Sequence, residues 1–255
     1  MCKDIKMSVI NFPQRLDVYL FNTNLAPSRE TAKKLVVGGH VTVNGKKITK
    51  PAFLIEQDDT VQVESNDLTR YVSRGAFKLE GALDTFKIDV KDLVAVDFGA
   101  STGGFTDLLL QRGAKRVYAI ENGSNQLHPK LLTDPRVISY DNTNARYIEK
   151  GFIPLCDIAV MDVSFISQIK LYKSVTNVLK PNGTFISLVK PQFEAGKELI
   201  GKNGIVKDSA VYEAVIEKIV SEAEYYGLKN VSIIPSPILG GDGNKEFLAY
   251  FKFEG

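Results

Sequence analysis

Val94-Ala-Val-Asp97-Phe98-Gly99-Ala100-Ser101-Thr102-Gly103-Gly104-Phe105 is an apolar run that passes through an acid into a glycine-rich turn and on toward a helix. A strand feeding such a turn beneath a helix N-terminus is how open α/β sheets hold their ligands. The spacing is not that of a dinucleotide site, because G-x-G-x-x-G wants glycine at the middle position and Ser101 stands there. Nor is it a P-loop, since no Gly-Lys-Ser/Thr closes the turn. A turn that combines a carboxylate, hydroxyls and backbone N–H groups suits the amino-acid end of S-adenosylmethionine, with its free ammonium and carboxylate. The cofactor contacts expected here are Asp97, Gly99, Ser101, Thr102 and Gly103.

Outward from this turn, short apolar runs alternate with helical segments. Strands are expected at residues 93–98, 117–120, 137–140, 158–163 and 184–189, with helices opening at Ser73 and covering residues 105–112 and 209–226. Such alternation predicts a parallel sheet covered by helices on both faces. Residues 228–234 and 247–253 read as two more strands, and the Pro- and Gly-rich connection between them is too short for a crossover helix, so they run antiparallel. The expected architecture is a Rossmann-like, mostly parallel seven-stranded sheet with an antiparallel edge strand. Glu121, at the end of the second strand, is placed to accept hydrogen bonds from a ribose diol, and Asp141 and Asn142, after the third, lie within reach of an adenine edge. A single acid at a strand end is usually a solvated loop residue; acids at three consecutive strand ends point to one ligand.

The N-terminal quarter is built differently. Leu16, Val18, Tyr19 and Leu20 form a short helical face, Ser28 is placed to cap a second helix, Gly38-Gly39 ends it, and Asn44-Gly45 turns a hairpin between residues 41–43 and 46–48. The chain has 255 residues, with 32 basic and 30 acidic ones, and this near balance hides a local asymmetry. Residues 28–50 carry Arg29, Lys33, Lys34, Lys46, Lys47 and Lys50 against Glu30, whereas residues 51–70 carry Glu56, Asp58, Asp59, Glu64 and Asp67 against Arg70. A concentrated basic patch suits a polyanion, although charge alone would equally describe a solvated helix face. Adding Arg15, the expected RNA contacts are Arg15, Arg29, Lys33, Lys34, Lys46, Lys47 and Lys50. The domain boundaries expected are a small α+β RNA-binding module at residues 14–65, a linker at 66–72, and the large domain at 73–255. Residues 1–13 show no period and read as a tail.

Several classes are disfavoured. Cys2 and Cys156 make no disulfide framework, and His40 and His128 lie too far apart to suggest metal-ligand spacing, so no metal is expected. The sequence shows neither a signal peptide nor a run near the ~20 apolar residues of a membrane span. A cytoplasmic monomer without membrane contact is the expectation.

Ligands in open α/β sheets bind outside the carboxyl ends of the strands. Asp162 and Lys190 end strands there, Glu246 begins an antiparallel strand at the same edge, and Lys78 lies near the start of the helix leading back to the first strand. Two lysines and two carboxylates from remote parts of the chain thus converge. They suit activation of a ribose hydroxyl, with Lys190 as base, Lys78 orienting the hydroxyl, and Asp162 and Glu246 holding the lysines. The same four would also make two plain salt bridges at a sheet edge.

Ser73-Arg-Gly-Ala-Phe-Lys78-Leu, Asp97-Phe-Gly-Ala-Ser-Thr-Gly-Gly-Phe105, Asp162-Val-Ser-Phe-Ile-Ser167, Val189-Lys-Pro-Gln-Phe-Glu194 and Gly243-Asn-Lys-Glu246-Phe-Leu resemble the TlyA family of FtsJ-like rRNA methyltransferases. Arg15-Leu-Asp17, Ser28-Arg29, Gly39-His-Val41, Val43-Asn-Gly45 and Lys50-Pro51 are similar to the S-four RNA-binding module. The resemblance implies S-adenosylmethionine-dependent 2′-O-methylation of cytidine in ribosomal RNA, with ribosomal RNA or subunits as partner and Lys78, Asp162, Lys190 and Glu246 as the catalytic set. One departure is Glu121-Asn-Gly-Ser-Asn-Gln-Leu127, where the family usually has Asp first and Tyr-Gly before Gln-Leu. Members of this family have often been labelled haemolysin, which makes a cytolysin the competing reading; a non-catalytic ribosome assembly factor is a third. Residues 193–208, with Gly196, Gly201 and Gly204, read as a candidate mobile loop over the substrate.

Overall fold

The computed structural model describes residues 11–23, 25–64, 67–196, 199–201, 204–206, 208–241 and 243–255. Most of the expected N-terminal tail, Cys2, and five positions of the expected mobile loop (197, 198, 202, 203 and 207) lie outside the described residues. The chain divides into two compact units, Met1–Val72 and Ser73–Gly255.

The first unit runs β1 (Gln14–Arg15), α1 (Leu16–Asn22), α2 (Arg29–Val37), β2 (Val41–Val43), β3 (Lys46–Lys47), β4 (Leu54–Ile55), β5 (Val61–Val63) and α3 (Asp67–Arg70). Ser28 caps α2 as its sequence position suggests, its Oγ accepting from the Thr31 N–H at 3.1 Å. The hairpin turns where both central residues take left-handed conformations, Asn44 at φ 50° and Gly45 at φ 76°. Leu16, Leu20, Leu35, Val36, Val41 and Ile55 fill the core between the helices and the strands. Truncating one of these leucines to alanine would cost about 2–5 kcal/mol. The acidic stretch after residue 50 holds structure that its charge pattern conceals: β4 pairs with β1, and β5 pairs with β2 to make a third strand beside the hairpin. One of its acids, Asp59, accepts from the Asn44 side-chain amide at 2.6 Å and from the Glu56 N–H at 2.8 Å, which fixes the hairpin turn.

The second unit continues with α4 (Ala76–Phe86), β6 (Val94–Phe98), α5 (Gly104–Gln111), β7 (Arg116–Ile120), α6 (Pro129–Leu132), β8 (Val137–Tyr140), β9 (Cys156–Met161), α7 (Tyr172–Val178), β10 (Leu179–Val189), α8 (Pro191–Glu194), α9 (Ser209–Tyr225), β11 (Leu228–Pro235) and β12 (Phe247–Phe253). The seven strands lie in the order β11-β12-β10-β9-β6-β7-β8. Strands β6 to β10 are parallel to one another, and β12 runs against both β10 and the edge strand β11. Val96 and Phe98 of β6 point into one apolar layer with Tyr172, Val175 and Val178 of α7 and Val215 and Ile219 of α9. Asp97 points to the opposite face, where Thr106 of α5 meets it. Some boundaries differ from expectation: helix α4 begins at Ala76 rather than at Ser73, β9 ends at Met161 so that Asp162 falls one residue past it, and β10 begins at Leu179 rather than at residue 184; β12 spans 247–253 as expected, with Glu246 just before it.

Candidate active site

The turn after β6 is shaped by backbone that side chains would obstruct. Gly99 lies at φ 80°, and a Cβ there would stand 2.6 Å from the Asp162 carbonyl oxygen. Gly103, at φ 92°, packs so closely on Leu127 and Leu131 that a Cβ would overlap both. A side chain at Gly99 would therefore push the β6–α5 turn away from the end of β9, whereas one at Gly103 would displace the Leu127 and Leu131 side chains. The Asp162 N–H donates to the Phe98 carbonyl at 3.0 Å, which holds the ends of β6 and β9 together at this point.

Two cavities adjoin here. The larger, about 620 Å³, is lined by Gly99, Ser101, Glu121, Arg146, Asp162 and Phe165 among others. Its size falls in the range of small-molecule sites. The smaller, about 240 Å³, is lined by Arg74, Lys78, Asp97, Thr102, Ser164 and Lys190 among others. Gly99, Ser101, Asp162 and Ser164 line both.

The four convergent residues form two ion pairs at the smaller cavity. Lys78 Nζ stands 2.6 Å from Glu246 Oε2, with both side chains buried. Lys190 Nζ stands 2.5 Å from Asp162 Oδ1 and donates to Ser164 Oγ at 2.8 Å. The register explains the meeting: Val189 of β10 lies opposite Phe247 of β12, so the residues flanking them share one edge.

Asp97 is buried and accepts from the Thr106 hydroxyl at 2.7 Å through one oxygen, while its Oδ1 has no hydrogen-bond partner. Burial pushes its carboxyl up to about 7; the Thr106 hydrogen bond pulls the other way, and the Asp162 and Glu121 carboxylates add to the rise. An orphaned carboxylate oxygen at a cavity wall is the group that an ammonium would satisfy. Glu121 receives the Ser101 N–H at 2.9 Å and the Gly123 N–H at 2.7 Å, leaving lone pairs for hydroxyl donors in the larger cavity. These features fit S-adenosylmethionine, with Asp97 toward its ammonium, Glu121 toward its ribose, and Gly99 permitting close approach.

Asp141 and Asn142, the expected adenine contacts, do not themselves line the larger cavity. Asp141 accepts the Asn125 N–H at 3.0 Å, and Asn142 accepts the Ser124 hydroxyl. Both bind the 122–126 loop, the segment where this chain departs from the family's sequence. That loop in turn presents Asn122, Gly123 and Gln126 to the cavity.

Phe165, quoted in a motif but given no role by sequence reading, stands at the mouth of the larger cavity. It is 92% exposed and at φ 63°, a conformation that bulky residues rarely adopt. Its ring lies against Phe193 at 5.1 Å between centroids. An alternating pattern assigns such a phenylalanine to a core, so no sequence signal marks its exposure. Arg146 also lines this cavity, with its guanidinium 5.2 Å from the Tyr147 ring centre. Among the described residues no cluster suited to a metal ion occurs.

In the first unit, Arg29, Lys33 and Lys34 of α2, Lys46 and Lys47 of β3, and Lys50 are all exposed. Lys34 pairs with Glu30 at 2.7 Å. Arg15 has other employment: its guanidinium makes two hydrogen bonds, at 2.9 and 3.0 Å, to the buried Asp17 carboxylate. Arg15's hydrogen bonds hold the Asp17 carboxyl below its usual range despite burial.

Residues 71–253 match the FtsJ-like methyltransferase family, and residues 14–61 match the S4 domain. The chain is 45% identical over 249 residues to a putative rRNA methyltransferase, YqxC, of Bacillus subtilis, covering 95% of this chain and 86% of that protein. It is 36% identical over 239 residues to the 16S/23S rRNA (cytidine-2′-O)-methyltransferase TlyA of Mycobacterium tuberculosis, covering 93% of this chain and 89% of that protein. A solved structure of a putative hemolysin from Streptococcus thermophilus superposes with a TM-score of 0.73 at 44% identity, covering 94% of this chain and 88% of that one.

Proposed function

The chain belongs to the FtsJ-like methyltransferases and carries an S4 domain, and from that premise we propose that it methylates the ribose 2′-hydroxyl of a cytidine in ribosomal RNA, using S-adenosylmethionine. The observation that carries this reading is the junction of the two cavities, where the Lys190–Asp162 pair borders the space that fits the cofactor. When bound, S-adenosylmethionine supplies an electrophilic methyl group, so the remaining task of the protein is to place and deprotonate a hydroxyl.

Lys190 is the base. Its two partners, Asp162 and Ser164, line both cavities, which puts its Nζ beside the space that a hydroxyl must enter. Lys190 first gives up its ammonium proton to solvent; its neutral Nζ then takes the hydroxyl proton as the ribose oxygen takes the methyl group, and Asp162 stands as counter-ion to the ammonium that is re-formed. Ser164 fixes the direction of the amine. Lys78, held by Glu246, orients the hydroxyl from the far side of the recess. Phe165 offers an exposed ring on which the target base stacks once it leaves its helix. The exposed cations of the first unit, Lys33, Lys46, Lys47 and Lys50 foremost, bind phosphates and tether the substrate. Most of the rate gain comes from positioning.

The competing cytolysin reading draws only on names given to relatives. Among the described residues no helix is long and apolar enough to cross a membrane. The test of the methyltransferase reading is transfer of labelled methyl groups from S-adenosylmethionine to ribosomal RNA. Wild-type protein incorporates label, and Lys190→Ala binds the cofactor as tightly but incorporates it at least a hundredfold more slowly, on the order expected for loss of a general base. Equal incorporation by the two would overturn the assignment.

A further inference from the structure

Glu194 lies behind the site and has no part in the chemistry above. It closes α8, one turn beyond Lys190, and the Phe193 N–H donates to the Lys190 carbonyl at 2.9 Å to form that turn. The side chain points inward, 6% exposed. Its Oε2 accepts the Ser167 hydroxyl at 2.6 Å and its Oε1 accepts the Gln168 N–H at 2.8 Å. Gln168 is itself buried and accepts the Ser187 hydroxyl from β10. The neighbouring Phe193 meets Phe165 on the outer side. Residues 162–168 are therefore held from two directions by consecutive residues of α8.

That loop carries much of the site: Asp162, which pairs with Lys190; Ser164, which receives its hydrogen bond; and Phe165, in its strained left-handed conformation. A strained conformation persists only where its surroundings over-determine it. The loop's own start is fixed by the Asp162–Phe98 hydrogen bond. Its far end is held by Glu194, which receives the Ser167 hydroxyl and the Gln168 N–H, and by Ser187, which bonds the Gln168 side chain.

We infer that Glu194 is a positioning residue for methyl transfer, clasping the 162–168 loop to the turn that bears Lys190 so that Ser164 and Phe165 keep their places. Burial pushes the Glu194 carboxyl up, opposed by the donors from Ser167 and Gln168 and by the nearby Lys218. The inference rests on reading the site as a methyltransferase centre, and the test separates the two.

Full-length wild type, Glu194→Ala, Glu194→Gln and Ser167→Ala are compared for cofactor-binding stoichiometry by calorimetry and for single-turnover methyl transfer to ribosomal RNA, expressed per cofactor-binding site. Alanine at 194 leaves the buried Gln168 N–H and the half-buried Ser167 hydroxyl without their acceptor, and a misplacement of about 1 Å costs roughly a hundredfold in rate. The expected result is a rate per site lower by roughly ten- to a hundredfold in Glu194→Ala, recovery to within about threefold in Glu194→Gln, and a drop of about threefold in Ser167→Ala. Addition of Glu194→Ala to a Ser164→Ala background costs less than it does in wild type, because both act on the same loop. A merely structural glutamate would lower the number of binding sites and leave the rate per site unchanged, which overturns the inference. Should Glu194→Ala fail to fold, an unchanged rate per site in Ser167→Ala overturns it instead. Absence of transfer by wild type would sink the methyltransferase reading itself.

Discussion

Lys78 and Glu246, 168 residues apart in the chain, meet at 2.6 Å in a buried ion pair that joins the start of α4 to the antiparallel strand β12. A buried pair owes little net stability to its Coulomb attraction, but breaking it strands a charge. Glu246→Ala is accordingly expected to destabilise the protein by about 3–5 kcal/mol, visible in urea unfolding, whereas Lys78→Met combined with Glu246→Leu recovers most of that loss. The double variant should be folded, bind cofactor and transfer methyl groups poorly. A double variant with wild-type turnover would remove Lys78 and Glu246 from the catalytic set.

With Asp97 facing the cofactor's ammonium as proposed, cofactor binding is expected to depend on pH. The folded-state Asp97 carboxyl sits near 7, above the 3.8 of an ordinary aspartate. The neutral form is thus favoured by folding, and its contribution to stability is present at low pH and lost as pH rises through about 7. Ligand-free protein should be less stable at pH 8 than at pH 5.5 from this group, and Asp97→Asn should lack that part of the dependence. An ammonium prefers the ionised partner, so affinity for S-adenosylmethionine should rise with pH across 7, with proton release detectable by calorimetry in buffers of different ionisation enthalpy. A flat affinity profile would contradict the pairing.

Phe165 is expected to affect substrate and not stability. Replacement by alanine should weaken RNA binding by about 1–3 kcal/mol, the usual scale for a base–aromatic stack, while Tm stays within a degree or two. Phe165→Gly, which relieves the left-handed backbone, should be at least as stable as wild type. Wild-type RNA affinity in both variants would exclude the stacking role.

The basic face of the first unit should make RNA affinity steeply salt-dependent. Neutralising Lys33 or Lys46 should lower the slope of log K against log salt by about one each, and weaken binding without regard to sequence. Arg15→Gln should behave otherwise. It removes the hydrogen-bonded partner of the buried Asp17 and leaves only the longer Arg29 pair at 3.9 Å, so its main effect falls on stability.

Much of this was legible from the chain itself. Period and turn chemistry marked the seven strands, the Ser28 cap and the Asn44-Gly45 hairpin, because each is a local signal. Convergence of Lys78, Asp162, Lys190 and Glu246 was also legible, since strand ends of a parallel sheet share one edge. Who pairs with whom was not, because pairing depends on register. Strands β4 and β5 were hidden by acids such as Asp59 that serve a turn. Asp141 and Asn142 were read as ligand groups from their strand-end position; their hydrogen bonds to Asn125 and Ser124 of a neighbouring loop carry no local signal. Phe165 and Glu194 inverted the hydropathy rule, with an exposed phenylalanine and a buried glutamate, and only packing reveals such a pair.

Lys190-dependent transfer of the methyl group to a ribose oxygen is tested by the position of the label after single-turnover transfer to ribosomal RNA by wild type and Lys190→Ala, read by alkaline hydrolysis, which cannot cut after a 2′-O-methylated nucleotide. Wild type is expected to leave label in alkali-resistant dinucleotides beginning with cytidine, and Lys190→Ala almost none despite bound cofactor. Label recovered on a base, or in the same dinucleotides at the same rate with Lys190→Ala, would contradict it.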